Sequence, residues 1–215
     1  MIEVWIIDNR NQFGTNKSSM TEKLINVVMN IVGPDNLQVI KPEEYNDKMD
    51  LPRKIIFSGS DARIRDLPCS SQQMKLIDRC MKEMLTSSGK RIDIFGICYG
   101  LHLMAKFFKV PITSFRKPCA GTVVVKTQIE STGGNTIISC WRPREENKKI
   151  FYLNHNDYIL KPPTPFLTTK THPSYLDYVL EAVWKCPGMY WIVTQYHPEA
   201  TKHGIEVLED WLKSA

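Results

Sequence analysis

The chain has 215 residues, and its 42% hydrophobic content is enough to form one substantial core. Lysine and arginine number 28 against 23 acidic residues, and a net charge of +5 is too small to indicate a nucleic-acid partner. The 6 cysteines form no Cys-x-x-Cys pair, which argues against a zinc site and favours reduced thiols.

The N-terminal stretch predicts where the protein is located. It lacks the basic region and the long apolar run of a signal peptide. No apolar run approaches the roughly 20 residues that a membrane span requires. We therefore expect a cytoplasmic protein with no membrane partner. Since there is no internal repeat or low-complexity linker, we expect residues 1–215 to form a single domain.

The first half of the chain alternates short apolar runs with stretches of helical periodicity. Strands are predicted at residues 3–8, 37–40, 54–57 and 91–97. Helices are predicted from residue 18 or 19 to the Gly33-Pro34 break, across 74–84 to a break at 87–89, and across 101–108. This rhythm predicts an α/β fold with an open, mostly parallel, flavodoxin-like sheet and helices on both faces.

The second half favours a small antiparallel β subregion. A hairpin is predicted from 121–129 and 136–141, joined by the Ser-Thr-Gly-Gly-Asn segment at 131–135. Further strands are predicted at 150–153, 179–185 and 190–195, with Pro187-Gly188 as the last turn. Ile205, Leu208 and Leu212 predict a C-terminal helix.

A candidate nucleophile lies between the fourth predicted strand and the helix that follows it. The segment reads Gly96-Ile97-Cys98-Tyr99-Gly100, a nucleophile-elbow pattern with sulfur in place of oxygen. Its glycines permit a sharp turn, and N–H groups at the helix start favour a thiolate. The alternative is a buried structural cysteine, which packs as a small hydrophobic residue.

A candidate base follows a predicted strand near the C-terminus, in the segment Gln195-Tyr196-His197-Pro198-Glu199. A cysteine hydrolase needs an imidazole to move the thiol proton, and Glu199 could hold the His197 ring in the right tautomer. Cys98 and His197 both follow predicted strands, and the carboxyl ends of such strands line one crevice. The alternative for this segment is an ordinary strand exit with solvated side chains.

These two segments resemble the signature blocks of the class I, or triad, glutamine amidotransferases. Three further segments are similar to motifs of that family: Phe57-Ser58-Gly59-Ser60, Asn154-His155-Asn156-Asp157 and His197-Pro198-Glu199-Ala200-Thr201. The resemblance covers essentially the whole chain and is greatest to the amidotransferase domain of GMP synthetase. The opening segment at 7–13 is also similar to the corresponding segment of the anthranilate synthase amidotransferases.

The resemblance implies a catalytic triad of Cys98, His197 and Glu199 that hydrolyses the side-chain amide of glutamine through a thioester. It also implies that the main-chain N–H groups of Ser60 and Tyr99 hold the oxyanion. A further implication is that ammonia passes to a separate synthetase. It implies no metal or organic cofactor. Predicted substrate contacts are Gly59, His102, Asn154 and His155.

The chain departs from the family pattern at two positions. His102 stands where the family has glutamine four residues after the cysteine, and imidazole cannot both donate and accept as a primary amide does. Ser60 stands where the family has a second glycine, so a Cβ is added to the oxyanion turn. Both changes leave the triad intact and bear on the substrate.

Two other functions remain open from the sequence alone. The same triad would serve a γ-glutamyl peptidase or hydrolase, which needs no ammonia acceptor, and His102 favours that interpretation. A binding or regulatory homologue with weak turnover is the third hypothesis. The altered turn at Ser60 favours it, and the intact triad speaks against it.

Overall fold

The computed structural model describes residues 3–9, 19–60, 62–64, 70–85, 91–126, 128–132, 135–139, 148–173, 177–186 and 189–214. The strands in chain order are β1 (Val4–Ile7), β2 (Leu37–Ile40), β3 (Lys54–Phe57), β4 (Asp93–Ile97), β5 (Thr113–Lys126), β6 (Gln128–Thr132), β7 (Asn135–Ser139), β8 (Lys148–Tyr158), β9 (Leu167–Thr171), β10 (Val179–Cys186) and β11 (Met189–Thr194). The helices are α1 (Ser19–Val32), α2 (Ser70–Leu85), α3 (Tyr99–Phe107) and α4 (Lys202–Lys213).

The main sheet has seven strands in the order β2-β1-β3-β4-β11-β10-β9. The first five are mutually parallel, and β10 and β9 extend the sheet in antiparallel fashion. β1 lies between β2 and β3, and this arrangement is the flavodoxin-like strand order. Parallel neighbours β4 and β11 therefore bring their carboxyl ends to the same edge of the sheet.

Helices cover both faces of this sheet, as predicted. Val28 of α1 and Trp211 of α4 lie in one buried cluster with Phe95 of β4. Ile77 of α2 and Met104 of α3 lie in another with Ile94, the residue before Phe95. Successive side chains of a strand point to opposite faces, so a strand that is buried on both faces is apolar along its length. None of the described helices is long and apolar enough to cross a bilayer.

The predicted elements of the main sheet agree with the structure to within about two residues at most ends. The predicted helix break at 87–89 and the turn at 187–188 lie outside the described residues. β9 was not predicted, because its sequence Leu-Thr-Thr-Lys-Thr has one apolar residue. It is an edge strand, and Lys170 is buried there through an ion pair with Glu181 of β10.

The predicted hairpin is confirmed near its turn, where residues 128–129 pair with 138–139. It was wrong for residues 121–126, which belong to β5 and pair antiparallel with β8. A separate, shorter hairpin joins β6 to β7, with Gln128 opposite Ser139. Both pairs are antiparallel two-stranded sheets, so the predicted antiparallel subregion exists, with a different partner for residues 121–126.

β8 is much longer than the predicted 150–153. Its buried face continues from Phe151 and Leu153 into His155 and Asp157. Alternation is the signal for a strand, but here the inward positions change from apolar to polar half-way along. This polar half of β8 lies beside Cys98 and lines its cavity.

Candidate active site

Cys98 occupies the sharp turn between β4 and α3. Its backbone has φ 50 and ψ −94, a conformation that a residue with a Cβ rarely adopts. The Cys98 N–H donates to the carbonyl of Thr194 at the end of β11, with N and O 2.6 Å apart. The turn is thus tied to the neighbouring parallel strand, and strain of this kind is typical of functional sites.

The two glycines around Cys98 are required by close packing. A Cβ on Gly96 would lie 2.9 Å from the carbonyl carbon and oxygen of Gly100. A Cβ on Gly100 would lie 2.7 Å from the carbonyl oxygen of Phe57 in β3. Only glycine lets the first turn of α3 approach the sheet this closely.

His197 and Glu199 lie just beyond the end of β11 and are both buried. The His197 Nδ1 atom is 3.1 Å from Oε1 of Glu199, so the carboxylate orients the ring. The His197 N–H also donates to the carbonyl of Tyr152 in β8, at 2.9 Å. Within the described part of the chain, the buried Nε2 atom of His197 has no hydrogen-bond partner of good geometry.

The electrostatics link His197 to Cys98. Burial lowers the pKa of His197, but its interactions with Cys98 and Glu199 outweigh this effect and raise that pKa to about 10. The raised pKa favours the imidazolium form of this ring. The structure brings the sulfur, the imidazole and the carboxylate together as one interacting group.

His102 is buried in α3 at the wall of the same cavity. Its Nε2 atom is 3.1 Å from the amide oxygen of Gln195, and the amide nitrogen of Gln195 donates to Cys98 Sγ at 3.6 Å. Sequence reasoning had not assigned a role to Gln195. Its signal was weak, because a polar residue at the end of a strand is usually solvated, whereas Gln195 is fully buried.

A cavity of about 70 Å³ opens in front of the sulfur. The cavity is lined by Ser60, Ala62, Arg63, Cys98, His102, Asn154, His155, Asn156 and Asp157. Ser60, Cys98, His102, Asn154 and His155 among these were predicted as site residues. The carbonyl oxygen of Asn154 lies 3.7 Å from Cys98 Sγ and can accept from the thiol.

Of the two predicted oxyanion residues, Ser60 lines this cavity and Tyr99 directly follows Cys98 in the chain. Tyr99 is the first residue of α3, and Ser60 lies on the turn that follows β3. Gly59 is part of that turn, and its carbonyl accepts from the Ser58 hydroxyl at 3.1 Å. Asn9, at the end of β1, donates to Ser58 through its backbone and its side chain, at 2.9 and 2.6 Å. The turn is therefore braced from the neighbouring strand.

His155 is held in the neutral form by its surroundings. Burial lowers the pKa of His155 to about 4. Its Nδ1 atom donates to the carbonyl of Asp157 at 2.9 Å, and its Nε2 atom accepts from the Tyr178 hydroxyl at 3.2 Å. Both ring nitrogens are thus occupied, and the ring can meet a ligand in the cavity only through its face or edge.

Arg63 and Asp157 place one cationic and one anionic side chain around the cavity. Neither was predicted as a substrate contact: Asp157 was noted only as the last residue of the 154–157 motif, and Arg63 belongs to no motif in the sequence. No group of three or more histidine, cysteine, aspartate or glutamate side chains in the described ranges could hold a metal ion.

Comparison with known proteins relates this chain to amidotransferases. It is 26% identical over 188 residues to a glutamine-hydrolyzing GMP synthase of Clostridium botulinum (strain Eklund 17B / Type B), a match that covers 84% of this chain and 30% of the relative. It is 26% identical over 173 residues to the corresponding protein of Wolinella succinogenes, covering 77% of this chain and 27% of the relative. The chain thus spans under a third of the length of these curated relatives.

Two solved structures share the fold. A GMP synthase-type protein from Thermoplasma acidophilum has a TM-score of 0.70 at 21% identity, covering 99% of this chain and 92% of that one. PurLQS from Thermotoga maritima contains a chain with a TM-score of 0.64 at 12% identity, covering 99% and 100%. The family model for Glutamine amidotransferase class-I matches residues 6–215. This chain belongs to the class I glutamine amidotransferase family.

Proposed function

We propose that this protein hydrolyses the side-chain amide of glutamine with Cys98 as nucleophile, His197 as acid and base, and Glu199 as the group that orients His197. The observation that carries the proposal is the pairing of a strained Cys98 with an imidazole whose pKa its neighbours raise to about 10. A thiolate–imidazolium pair at neutral pH is the reactive form of a cysteine hydrolase.

The residues support a two-step reaction. The Cys98 thiolate attacks the amide carbon, and the carbonyl oxygen becomes an oxyanion near the main-chain N–H groups of Tyr99 and Ser60. The C–N bond breaks as His197 gives its proton to the leaving ammonia, which leaves a thioester. His197 then takes a proton from water, the hydroxide attacks the thioester, and glutamate leaves as the thiolate re-forms.

Charge in the cavity supports an α-amino acid as substrate. Glutamine carries an α-carboxylate and an α-ammonium group, and the cavity offers the guanidinium of Arg63 and the carboxylate of Asp157. Asp157 is oriented by the Ser114 hydroxyl, which donates to it at 2.6 Å. We assign Arg63 to the α-carboxylate and Asp157 to the α-ammonium group.

The ammonia acceptor is proposed to be the active site of a synthetase. The sequence relatives are named as glutamine-hydrolyzing GMP synthases, and this chain matches less than a third of their length. Ammonia is the product that a hydrolase of this kind can supply to another active site. A GMP synthetase-like partner is therefore the first one to test.

A second candidate is a γ-glutamyl hydrolase that acts on larger substrates, and a neighbouring cleft favours it. This cleft, of about 350 Å³, shares Asp157 with the nucleophile cavity. It is lined by Ile64, Lys106, Lys109, Val110, Pro111, Ile112, Ser114 and Asp157. A γ-glutamyl compound could place its glutamyl part beside Cys98 and its remaining part in the cleft.

Glutamate release from glutamine and from γ-glutamyl dipeptides distinguishes these candidates. We expect release from glutamine, stimulated by a synthetase, and its loss by about four orders of magnitude or more in Cys98→Ala. Cys186→Ala is the control, because Cys186 ends β10 at the opposite end of the sheet. Greater release from dipeptides would favour the second candidate. Absence of release from both substrates, with and without synthetase, would leave a binding or regulatory role.

A further inference from the structure

We propose that Gln195 stabilises the Cys98 thiolate by donating an amide hydrogen bond to it, and that His102 is a positioning residue that fixes the Gln195 amide in that orientation. The proposal rests on the proposed function only in taking Cys98 as the reactive group. It gives His102 a role that requires no contact with substrate.

The hydrogen bonds run in one direction through the three side chains. The amide oxygen of Gln195 can only accept, so the His102 Nε2 atom, 3.1 Å away, must carry the proton. The amide nitrogen of Gln195 then faces Cys98 Sγ at 3.6 Å as a donor. If the amide were rotated by half a turn, its oxygen would face the sulfur and the donor of His102 would meet an amide N–H group.

Burial makes this orientation important. Gln195 is 0% exposed and His102 5% exposed, so water cannot replace a lost partner easily. Burial also lowers the pKa of His102, and the Gln195 hydrogen bond and the charge and backbone carbonyl of Asp157 oppose this only in part. His102 is therefore neutral and has one ring N–H group, for which the Asp157 carbonyl and the Gln195 oxygen are both acceptors. The proposed orientation of the Gln195 amide requires that proton on Nε2.

The Asn154 carbonyl explains why the sulfur needs such a donor. Its oxygen lies 3.7 Å from Cys98 Sγ, where it can accept from a thiol but repels a thiolate. The Gln195 N–H group acts in the opposite sense, because it favours the charged sulfur. The His197 ring acts on the sulfur in the same sense as the Gln195 N–H group.

Other charged groups share these surroundings and enter the design of the test. His197 faces the sulfur from the end of β11, while Arg63, His155 and Asp157 line the cavity in front of it. None of them is substituted in the variants of Gln195 and His102, although Asp157 interacts with His102. A change in sulfur reactivity in those variants therefore reports on the amide and its support.

The test is the rate at which iodoacetamide alkylates Cys98 as a function of pH, followed by mass spectrometry of the Cys98 peptide. We expect Gln195→Met to move the midpoint of the profile to higher pH and to slow alkylation about tenfold at neutral pH, since a hydrogen bond to a charged group is lost. Gln195→Glu should slow it further, because a carboxylate replaces the donor. A profile for Gln195→Met that matches wild type would overturn the proposal.

A pair of His102 variants tests the positioning role. His102→Leu removes the donor to Gln195 and should shift the alkylation profile in the same direction as Gln195→Met. His102→Gln restores an N–H donor and should return the profile towards wild type. Equal alkylation profiles for the two variants would refute the role of His102. If the Gln195 variants do not fold, this pair also tests whether the Gln195 amide affects the sulfur.

Gln73→Met is the matched control for the loss of a buried amide. Gln73 is 1% exposed; its side chain donates to Asn9 and accepts from the Tyr99 hydroxyl at 3.5 Å, and neither of these hydrogen bonds involves the Cys98 sulfur. This variant should lose stability and keep the wild-type alkylation profile. Because alkylation needs no turnover, a protein that shows the predicted profiles but releases no glutamate would refute the proposed function and leave this inference standing.

Discussion

The charge on His197 is governed by its two neighbours and not by its burial alone. Its ring is 2% exposed, which by itself would favour the neutral form, yet Cys98 and Glu199 raise its pKa to about 10. The same attractions that prepare the site for chemistry therefore stabilise the folded chain. The contribution of these attractions to the free energy of unfolding depends on pH.

A raised pKa means that the folded state binds the His197 proton more tightly than the unfolded state does. The resulting stability is complete below the ordinary pKa of 6.5 and is lost as pH rises through about 10. We expect the difference in free energy of unfolding between wild type and His197→Gln to be largest at the acid end and to shrink as pH rises. Urea denaturation across this range measures it, and His203→Gln controls for loss of an imidazole elsewhere. A difference that grows with pH would contradict the assignment.

Arg63 provides a test of the proposed substrate contacts. Arg63→Ala removes the cation assigned to the α-carboxylate, so KM for glutamine should rise about tenfold or more, while the rate of Cys98 alkylation stays near wild type. Arg53→Ala is the control, because Arg53 precedes β3 at the far end of that strand. Steady-state kinetics with glutamine measures KM for wild type and for both variants. An unchanged KM in Arg63→Ala would remove Arg63 from the binding site.

The turn that carries His197 and Glu199 depends on how closely α4 packs against it. A Cβ on Gly204 would lie 2.5 Å from the carbonyl oxygen of Pro198, which is the residue between the two. The Gly204 N–H also donates to the Thr201 side chain at 3.2 Å, which caps the helix. The start of α4 thus supports the turn by direct contact.

Gly204→Ala should displace this turn. We expect a lower melting temperature and at least a tenfold loss of glutamate release, because small displacements of catalytic groups reduce rates strongly. The matched control is Lys202→Ala, an exposed position in the same turn of α4. Normal activity in Gly204→Ala would show that α4 does not hold the turn in place.

Sequence reasoning was accurate where one physical signal dominated. Continuous apolar runs and helical stripes marked the elements of the parallel sheet, and the two glycines around Cys98 marked a turn that packing requires. It was weaker where polar residues are buried in strands. The second half of β8 was not predicted, because its buried positions His155 and Asp157 are polar. Gln195 and Arg63 are brought near Cys98 only by folding, and their distance from it along the chain does not indicate this.

The two ends of the sheet hold different groups of polar residues. Cys98 follows the last residue of β4, whereas Asp93 is the first residue of that strand and pairs with Lys54 and Arg91. Lys54 Nζ also donates to the carbonyl of Trp211 at 2.8 Å and so binds the last turn of α4 to the sheet. The proposed catalytic residues are located at one end of the sheet and this buried ionic network at the other.

Lys54→Met should therefore affect stability without affecting chemistry. We expect the free energy of unfolding to fall by about 3 kcal/mol, because one partner of a buried ion pair is removed. The value of kcat/KM at a temperature where the variant is folded should stay within about twofold of wild type. Lys82→Met removes an exposed ion pair to Asp78 and should change stability little. A selective loss of activity in Lys54→Met would show that the two ends are coupled.

Covalent labelling by a diazo-ketone analogue of glutamine tests the central claim most directly, because the reagent must be recognised as glutamine and attacked by the nucleophile. Incubation followed by peptide mass spectrometry should place one adduct on Cys98, with slower labelling in His197→Ala and none in Cys98→Ala. Competition by glutamine should protect Cys98. Labelling at another residue, or at Cys98 with equal rates in wild type and His197→Ala, would contradict the proposed partnership of sulfur and imidazole.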